Sequence, residues 1–168
     1  MLKDKLFQRI GELTVQFATL EHRLQQLLEM LMGQGNNLIG PLFIHNLSLV
    51  TLLRKLRIVA RYKVHKNSRF LYDLDRTVKA IDAIREERNL LIHGDWQIEE
   101  AETFPVKVRD FRMRYDQGNG QEFTETALTE KKVTRLVRRL KGLGNDVDHL
   151  IEELGSSRTA PQPASQTD

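Results

Sequence analysis

The apolar residues of the first thirty positions recur at alternating spacings of four and three, which is the pattern of one face of a long helix. The spacing predicts a helix from about Lys3 to Met32, about 45 Å long at 1.5 Å per residue, that ends at Gly33 and Gly35. Such a stripe needs a packing partner, either within its own bundle or in a second copy of the chain. The stripe consists of Leu6, Ile10, Leu13, Phe17, Leu20, Leu24, Leu27 and Leu31.

Two further segments follow before residue 64. Gly40-Pro41 favours the start of a short helical segment, because proline tolerates the first turn of a helix and disfavours a helical residue before it. Ser48 has the side chain of an N-cap and is expected to start a second long helix. The apolar side of that helix is Leu49, Leu52, Leu53, Leu56 and Val59.

The remaining helical pattern predicts two more helices. The third is capped by Asn67 or Ser68 and runs to Gly94, and the last is capped by Thr129 and contains Gly142 and Gly144 as weak points. The apolar positions expected in the core are Phe70, Leu71, Leu74, Val78, Ile81, Ile84, Leu91 and Ile92 in the third helix, and Val133, Leu136, Val137, Leu140, Leu143, Val147, Leu150 and Leu154 in the last.

Between these helices the period changes to two. Residues 106–115 are rich in β-branched and aromatic types and can form one strand. Residues 117–120 contain glycine and asparagine, which are typical of a β-turn, and residues 123–127 can form a second strand. We therefore predict a mainly α protein, an up-and-down bundle of four to five helices with a small β-hairpin inserted near residues 104–127. The bundle is expected to form one domain over residues 1–154. Residues 155–168 are small, polar and proline-containing, and are expected to be a disordered tail.

Composition excludes several kinds of protein. The chain has no cysteine, so disulfides, thiolate zinc sites and cysteine nucleophiles are excluded and a reducing cytoplasm is the natural compartment. Neither a signal peptide nor a membrane-length apolar run is seen, so we expect a cytoplasmic protein that does not contact the membrane. No glycine-rich phosphate loop, H-E-x-x-H or Glu-x-x-His pair occurs, and no cofactor or metal is expected. The histidines at 22, 45, 65 and 149 are isolated.

The net charge of +3 is mild, but its distribution is uneven. No acidic residue lies between Glu29 and Asp73, whereas seven cations do, and such a stretch can neutralise phosphates. The alternative is a helix face whose cations are solvated or paired with carboxylates from elsewhere. The cations of this window are Arg54, Lys55, Arg57, Arg61, Lys63, Lys66 and Arg69, and the last helix has a second basic stripe at Lys131, Arg135, Arg138 and Arg139.

The most informative segment is residues 88–93, at the end of the third predicted helix. On a helix Asn89 and His93 lie within about 40° of each other, whereas Arg88 lies about 140° from His93. The helix dipole favours a charged imidazolium at the C-terminus, and an arginine can hold a phosphate by two hydrogen bonds. Arg88 and His93 can meet only if Arg88 bends or if a second subunit contributes. Alternatively, Arg88 pairs with a carboxylate such as Glu87, Asn89 caps a turn, and His93 with Gly94 closes the helix.

The run Glu87-Arg88-Asn89-Leu90-Leu91-Ile92-His93-Gly94 resembles the signature of HEPN domains, an arginine and a polar residue followed by a histidine near a helix end. Phe17, Leu20 and Glu21 in the first helix, and Trp96, also resemble bacterial members. The resemblance implies an all-α bundle whose motif helices face each other across a homodimer cleft, which in catalytic members is a metal-independent endoribonuclease. Where one subgroup has a modifiable tyrosine two residues after the histidine, this chain has Asp95, and that regulation is not expected.

Transferred to this chain, the resemblance gives each motif residue a role. Arg88 would bind the scissile phosphate, His93 would act in acid/base transfer, and Asn89 would position either group. The chain would then bind or cleave RNA as a toxin or defence component, with an antitoxin as a protein partner. The second hypothesis is a non-catalytic helical dimer that serves as a protein-interaction or regulatory module. Trp96 is expected to pack against the helix end, or alternatively to stack on a base. The expected RNA contacts are Arg54, Arg57, Arg61, Lys63, Arg135 and Arg138.

Overall fold

Four helices and a three-stranded sheet form the parts of the chain that the computed structural model describes, residues 2–33, 43–97, 106–110 and 124–159. The helices are α1 (Leu2–Met32), α2 (Leu49–Lys63), α3 (Ser68–His93) and α4 (Glu130–Thr159), and residues 43–45 form a further helical turn. The strands are β1 (Asp95–Gln97), β2 (Val106–Asp110) and β3 (Thr124–Leu128). The prediction of a mainly helical bundle with a small β insertion is confirmed.

The chain packs as two compact units, and three of its helices contribute to both. Unit 1 comprises residues 1–18 and 80–142, and unit 2 comprises residues 19–79 and 143–168. Helices α1 and α4 run from unit 1 into unit 2, and α3 runs from unit 2 into unit 1. Seven of the eight stripe residues of α1 are buried in the single chain, and Ile10 is half-buried. The stripe therefore packs against other helices of the same chain, which was the first of the two possibilities, rather than against a second copy.

Three predicted N-caps are present, because capping depends only on a short local sequence. Ser48, Asn67 and Thr129 each accept a hydrogen bond, through the side-chain oxygen, from the backbone N–H three residues further on, at 3.4, 3.0 and 3.2 Å. Helix α1 ends at Gly33, whose φ of +90° lies in the left-handed region that favours glycine. Gly35 and Gly40-Pro41 lie outside the described residues.

The β insertion is a three-stranded antiparallel sheet in the order β1-β2-β3, rather than the predicted hairpin alone. Strands β2 and β3 pair from Val106 opposite Leu128 to Asp110 opposite Thr124, which confirms the predicted strand pair. The additional strand β1 pairs Trp96 with Val108 on β2. The predicted turn at residues 117–120 lies outside the described residues.

Helix α4 continues five residues beyond the predicted end at Leu154. It passes through Gly155 to Thr159, and Ser156 Oγ donates to the Glu152 carbonyl oxygen at 2.9 Å. The expectation of a disordered tail from residue 155 is therefore wrong for residues 155–159, because their backbone extends the hydrogen-bonded ladder of the helix. Residues 160–168 lie outside the described part of the chain. Gly142 and Gly144 do not interrupt the helix.

Candidate phosphodiester site at the end of α3

The end of α3, which carries the motif, is fixed by two hydrogen bonds to its last carbonyl groups. The Gly94 N–H donates to the Leu90 carbonyl oxygen at 2.9 Å, and the Trp96 indole Nε1–H donates to the Leu91 carbonyl oxygen at 3.0 Å. Carbonyls at a helix end otherwise lack partners, so these bonds hold the last turn in a defined position. The predicted packing role of Trp96 agrees with this contact.

Gly94 occupies a place in which no side chain fits. A Cβ atom at this position would collide with Val108 Cγ1 and with the Leu90 carbonyl oxygen, and would lie 3.1 Å from the Arg109 carbonyl oxygen. The absence of a side chain lets β2 lie directly against the end of α3. The residue that follows His93 is therefore fixed by the packing of the sheet on the helix.

Arg88 is held by an aromatic ring and an amide. Its guanidinium carbon lies 5.1 Å from the centroid of the buried Phe17 ring, a cation–π distance. Its Nη1 donates to Asn89 Oδ1 at 3.2 Å, while its Nε is buried and has no hydrogen-bond partner among the described residues. Within the described part of the chain no carboxylate pairs with this guanidinium or compensates its positive charge.

The neighbouring arginines of unit 1 differ from Arg88 in this respect. Arg85 Nε lies 2.9 Å from Asp82 Oδ1, and its Nη2 lies 2.6 Å from Glu86 Oε1. Glu87, the carboxylate named above as a partner for Arg88, instead accepts a hydrogen bond from Arg139 Nη1 at 2.8 Å. Among these arginines, Arg88 alone lacks an acidic partner in the described residues.

His93 is exposed at the last position of α3, and Asn89 is half-buried one turn earlier. The structure brings Arg88 and Asn89 into contact, but no hydrogen bond joins His93 to either of them among the described residues. This agrees with the helical geometry, which places Arg88 about 140° from His93. A single copy of the chain thus presents an arginine–amide pair and a separate histidine.

The predicted RNA-contact residues of unit 2 lie on α2. Arg54, Arg61 and Lys63 are exposed, whereas Arg57 is half-buried with its Nε 3.0 Å from Asp75 Oδ1. The pair is close, but the Arg57 N–H is not aligned with the oxygen, so it is an ion pair rather than a hydrogen bond. A hydrogen bond from Lys79, together with the charges of Arg57 and Arg61, lowers the pKa of Asp75. Arg57 lies in the stretch without acidic residues, but in the fold it pairs with a carboxylate from another helix. For this residue the alternative interpretation of the basic stretch is therefore correct.

The remaining predicted RNA-contact residues, Arg135 and Arg138, lie in unit 1 on α4 and are both exposed. No group of three or more histidine, aspartate or glutamate side chains that could hold a metal ion occurs among the described residues. None of the helices described is long and apolar enough to cross a membrane.

Two residues of the site were not assigned a role there by sequence reasoning. Phe17 was placed in the apolar stripe, but it also supports the Arg88 guanidinium, and no local pattern links positions so far apart in the chain. The sequence predicts Gly94 as a helix terminator, whereas the structure requires a glycine there because β2 approaches the backbone closely. The one feature of the sequence that could have indicated this role is the position of Gly94 directly after the motif.

No protein-family model, curated protein or solved structure matches the chain. The fold and the side chains of the site are therefore the basis for a functional assignment.

Proposed function

We propose that this protein is a HEPN-like RNA-binding protein that cleaves RNA without a metal ion, at a composite site formed by two copies of the chain. The observation that supports the proposal best is the Arg88 guanidinium, which pairs with no carboxylate among the described residues and is held between Phe17 and Asn89 at the same helix end as His93. The biological role that follows is that of a toxin or defence component, and an antitoxin is the expected protein partner.

The surroundings of Arg88 favour an anionic ligand. A buried N–H donor without a partner costs about 1–3 kcal/mol, more if charged, and such groups call for a structural or functional explanation. The Phe17 ring and the Asn89 amide fix the position of the guanidinium without neutralising its charge. A phosphodiester would supply the missing negative charge and can accept two hydrogen bonds from an arginine.

His93 supplies the proton transfer in the proposed reaction. The ribose 2′-oxygen attacks the neighbouring phosphorus and loses its proton to solvent, and the bond from phosphorus to the 5′-oxygen breaks. The His93 imidazolium donates a proton to that leaving oxygen, so the products are a 2′,3′-cyclic phosphate and a free 5′-hydroxyl. His93 is the last residue of α3 and is exposed, so its imidazole can reach a ligand.

The two-copy arrangement follows from helix geometry. Because Arg88 and His93 point about 140° apart on one helix, one phosphate is reached most directly by Arg88 of one copy and His93 of the other. Exposed cations on α2 and α4, among them Arg54 and Arg135, supply further sites that can neutralise phosphates.

The test incubates labelled RNA with the purified protein in EDTA. We expect His93→Ala to lower the cleavage rate by about 10²-fold or more and Arg88→Ala to weaken RNA binding and cleavage. Arg85→Ala is the matched control, because Arg85 lies on the same helix but pairs with Asp82 and Glu86, and its rate should stay unchanged. Undiminished cutting by both motif variants would disprove the assigned roles.

A mixed dimer tests the composite site itself. The His93→Ala and Arg88→Ala chains, each impaired alone, should cleave faster when refolded together, because one of the two sites then contains Arg88 from one chain and His93 from the other. If both residues act within one chain, the mixture cleaves no faster than the two variants do separately. A strictly monomeric protein in solution would also contradict the two-copy site.

A non-catalytic interaction module is the second candidate, and exposed apolar side chains favour it. Ile58 and Tyr62 on α2 are 61% and 79% exposed, and Phe43 is 71% exposed, whereas such large apolar groups are usually buried. This candidate predicts no RNA cleavage and partner binding that is insensitive to salt, since RNA binding through phosphates falls steeply with salt.

A further inference from the structure

One side of α2, in unit 2, has apolar side chains that the fold leaves in solvent. Val50, Ile58 and Tyr62 are 53%, 61% and 79% exposed, and they share one side of the helix because multiples of four residues separate them. The opposite side packs in the core, and its buried residues are Leu52, Leu53, Leu56 and Ala60. Helix α2 thus has a second apolar side that the described residues do not cover.

Two arginines lie on the same outward side of α2. Arg54 is midway between two of the apolar residues, and Arg61 follows it by seven residues, which is two helical turns. Both are exposed, and neither forms an ion pair within the described residues, although the charge of Arg61 acts on Asp75. Helix α2 itself contains no acidic residue. We define the α2 face as Val50, Arg54, Ile58, Arg61 and Tyr62.

This combination of groups distinguishes the possible occupants of the α2 face. A second copy of the chain would place the same face against itself, since symmetric contacts pair identical surfaces, and the arginines would then repel each other. RNA would neutralise the arginines but would gain nothing from the aliphatic groups of Val50 and Ile58, which a polyanion leaves in water. Tyrosine and arginine are enriched among the residues that contribute most to protein–protein binding. The face therefore fits a protein segment with both apolar and acidic side chains.

We propose that the α2 face binds an acidic amphipathic helix of a partner protein. Val50 and Tyr62 lie about 18 Å apart along the helix axis at 1.5 Å per residue, so a partner helix of about three turns covers the face. The apolar residues of that helix would lie against the three apolar side chains, and its carboxylates would pair with the two arginines. The face belongs to unit 2, so the proposal stands without the cleavage reaction assigned to Arg88 and His93 in unit 1.

Three synthetic peptides of about fifteen residues, or about four helical turns, test this chemistry by fluorescence anisotropy with the full chain. The first has leucine at every third and fourth position and glutamate on both sides of that stripe. The second has lysine in place of the glutamates, and the third has glutamine in place of the leucines. We expect the first peptide to bind about tenfold more tightly than either of the others, because it alone offers both apolar and acidic side chains.

Variants of the chain assign the binding to the α2 face. Ile58→Ala and Tyr62→Ala should each weaken binding of the first peptide, the second by about tenfold or more, and Arg54→Ala should reduce the advantage of the first peptide over the lysine peptide. The matched controls are Tyr72→Ala and Arg69→Ala, because these residues are exposed but lie on α3. Both controls should bind the first peptide as the wild type does, and circular dichroism checks that every variant is folded.

Two results with the peptides would overturn the proposal. If the three peptides bind equally, the face does not select an acidic amphipathic segment. If the face variants and the two controls bind the first peptide with equal affinity, the peptide binds elsewhere on the chain.

Three further results would assign the face to another occupant and would equally overturn the proposal. A wild-type dimer that becomes a monomer in Tyr62→Ala identifies a second copy of the chain. Loss of affinity in Ile58→Ala and Tyr62→Ala for a single-stranded oligoribonucleotide that binds more tightly than the first peptide identifies RNA, and the same behaviour with phosphatidylserine vesicles identifies a lipid surface. Cleavage of RNA in EDTA is recorded in parallel. Loss of peptide binding in Ile58→Ala with cleavage unchanged separates the α2 face from the proposed function.

Discussion

Replacing Gly94 by alanine tests whether the packing of β2 on the end of α3 holds the motif in place. The added Cβ collides with a valine side chain of β2 and with the Leu90 carbonyl oxygen, and it approaches a second carbonyl oxygen at 3.1 Å. The two oxygens belong to the backbone and cannot rotate away. We therefore expect β2 or the end of α3 to shift.

The size of the effect follows from the kind of contact. Overpacking by one methyl group costs about 1–3 kcal/mol, and Gly94 gains nothing from the helix propensity of alanine because it follows the last helical residue. In a chain of this size a loss of 1 kcal/mol lowers Tm by about 2–4 °C, so a cost of about 2 kcal/mol corresponds to about 4–8 °C.

For Gly11→Ala we expect a gain in stability instead, since Gly11 lies within α1 and a Cβ there meets no atom within 4 Å. Gly11→Ala should stabilise the protein by up to about 1 kcal/mol.

Urea unfolding followed by circular dichroism measures both variants against the wild type. The expected order of stability is Gly11→Ala, wild type, Gly94→Ala. Gly142→Ala repeats the control in α4, where a Cβ also meets no atom within 4 Å. If Gly94→Ala unfolds at the same urea concentration as the wild type or at a higher one, the close packing of β2 on the helix end is refuted.

Two further predictions concern a hydrogen bond and a carboxylate. Trp96→Phe removes the indole donor to the Leu91 carbonyl oxygen and should lower the free energy of unfolding by about 1 kcal/mol; unchanged urea stability would show that the bond contributes nothing. Hydrogen bonds from Lys141 and Arg9 lower the pKa of Glu12 below its ordinary 4.5, so this stabilisation is complete above about pH 4.5 and is lost as the pH falls through the lower folded-state pKa. Glu12→Gln should therefore be less stable than the wild type at neutral pH by at most about 1 kcal/mol, with the difference closing in acid, and a difference that is constant with pH would contradict the assignment.

The sequence predicted best what depends on a few neighbouring residues. Ser48, Asn67 and Thr129 could be assigned as caps because each needs only a backbone N–H three residues away. The apolar stripe of α1 was predicted for a similar reason, since helical spacing alone determines which positions share a face. Strand β1 was missed because three residues carry too little pattern, and its stability comes from pairing with β2.

The candidate site could be located from the sequence but its contacts could not. The motif identifies Arg88, yet its contact with Phe17 joins two distant parts of the chain. In the same way, the absence of acidic residues around Arg57 along the chain did not reveal Asp75, which lies 3.0 Å away in the fold. A count of charges along the sequence cannot distinguish an arginine that is paired in the folded chain from one that is not.

Arg88 is important to the proposed function because it differs from the paired arginines. For stability alone, a carboxylate would be the better partner of a partly buried guanidinium, because an uncompensated buried charge is costly. Arg57, Arg85 and Arg139 all have such a partner. Arg88 instead has a ring that attracts its charge and an amide that orients it, and neither removes the charge. The contacts of the described residues thus fix the direction of one guanidinium without a carboxylate beside it, and this is the arrangement that the proposed binding of a phosphate needs.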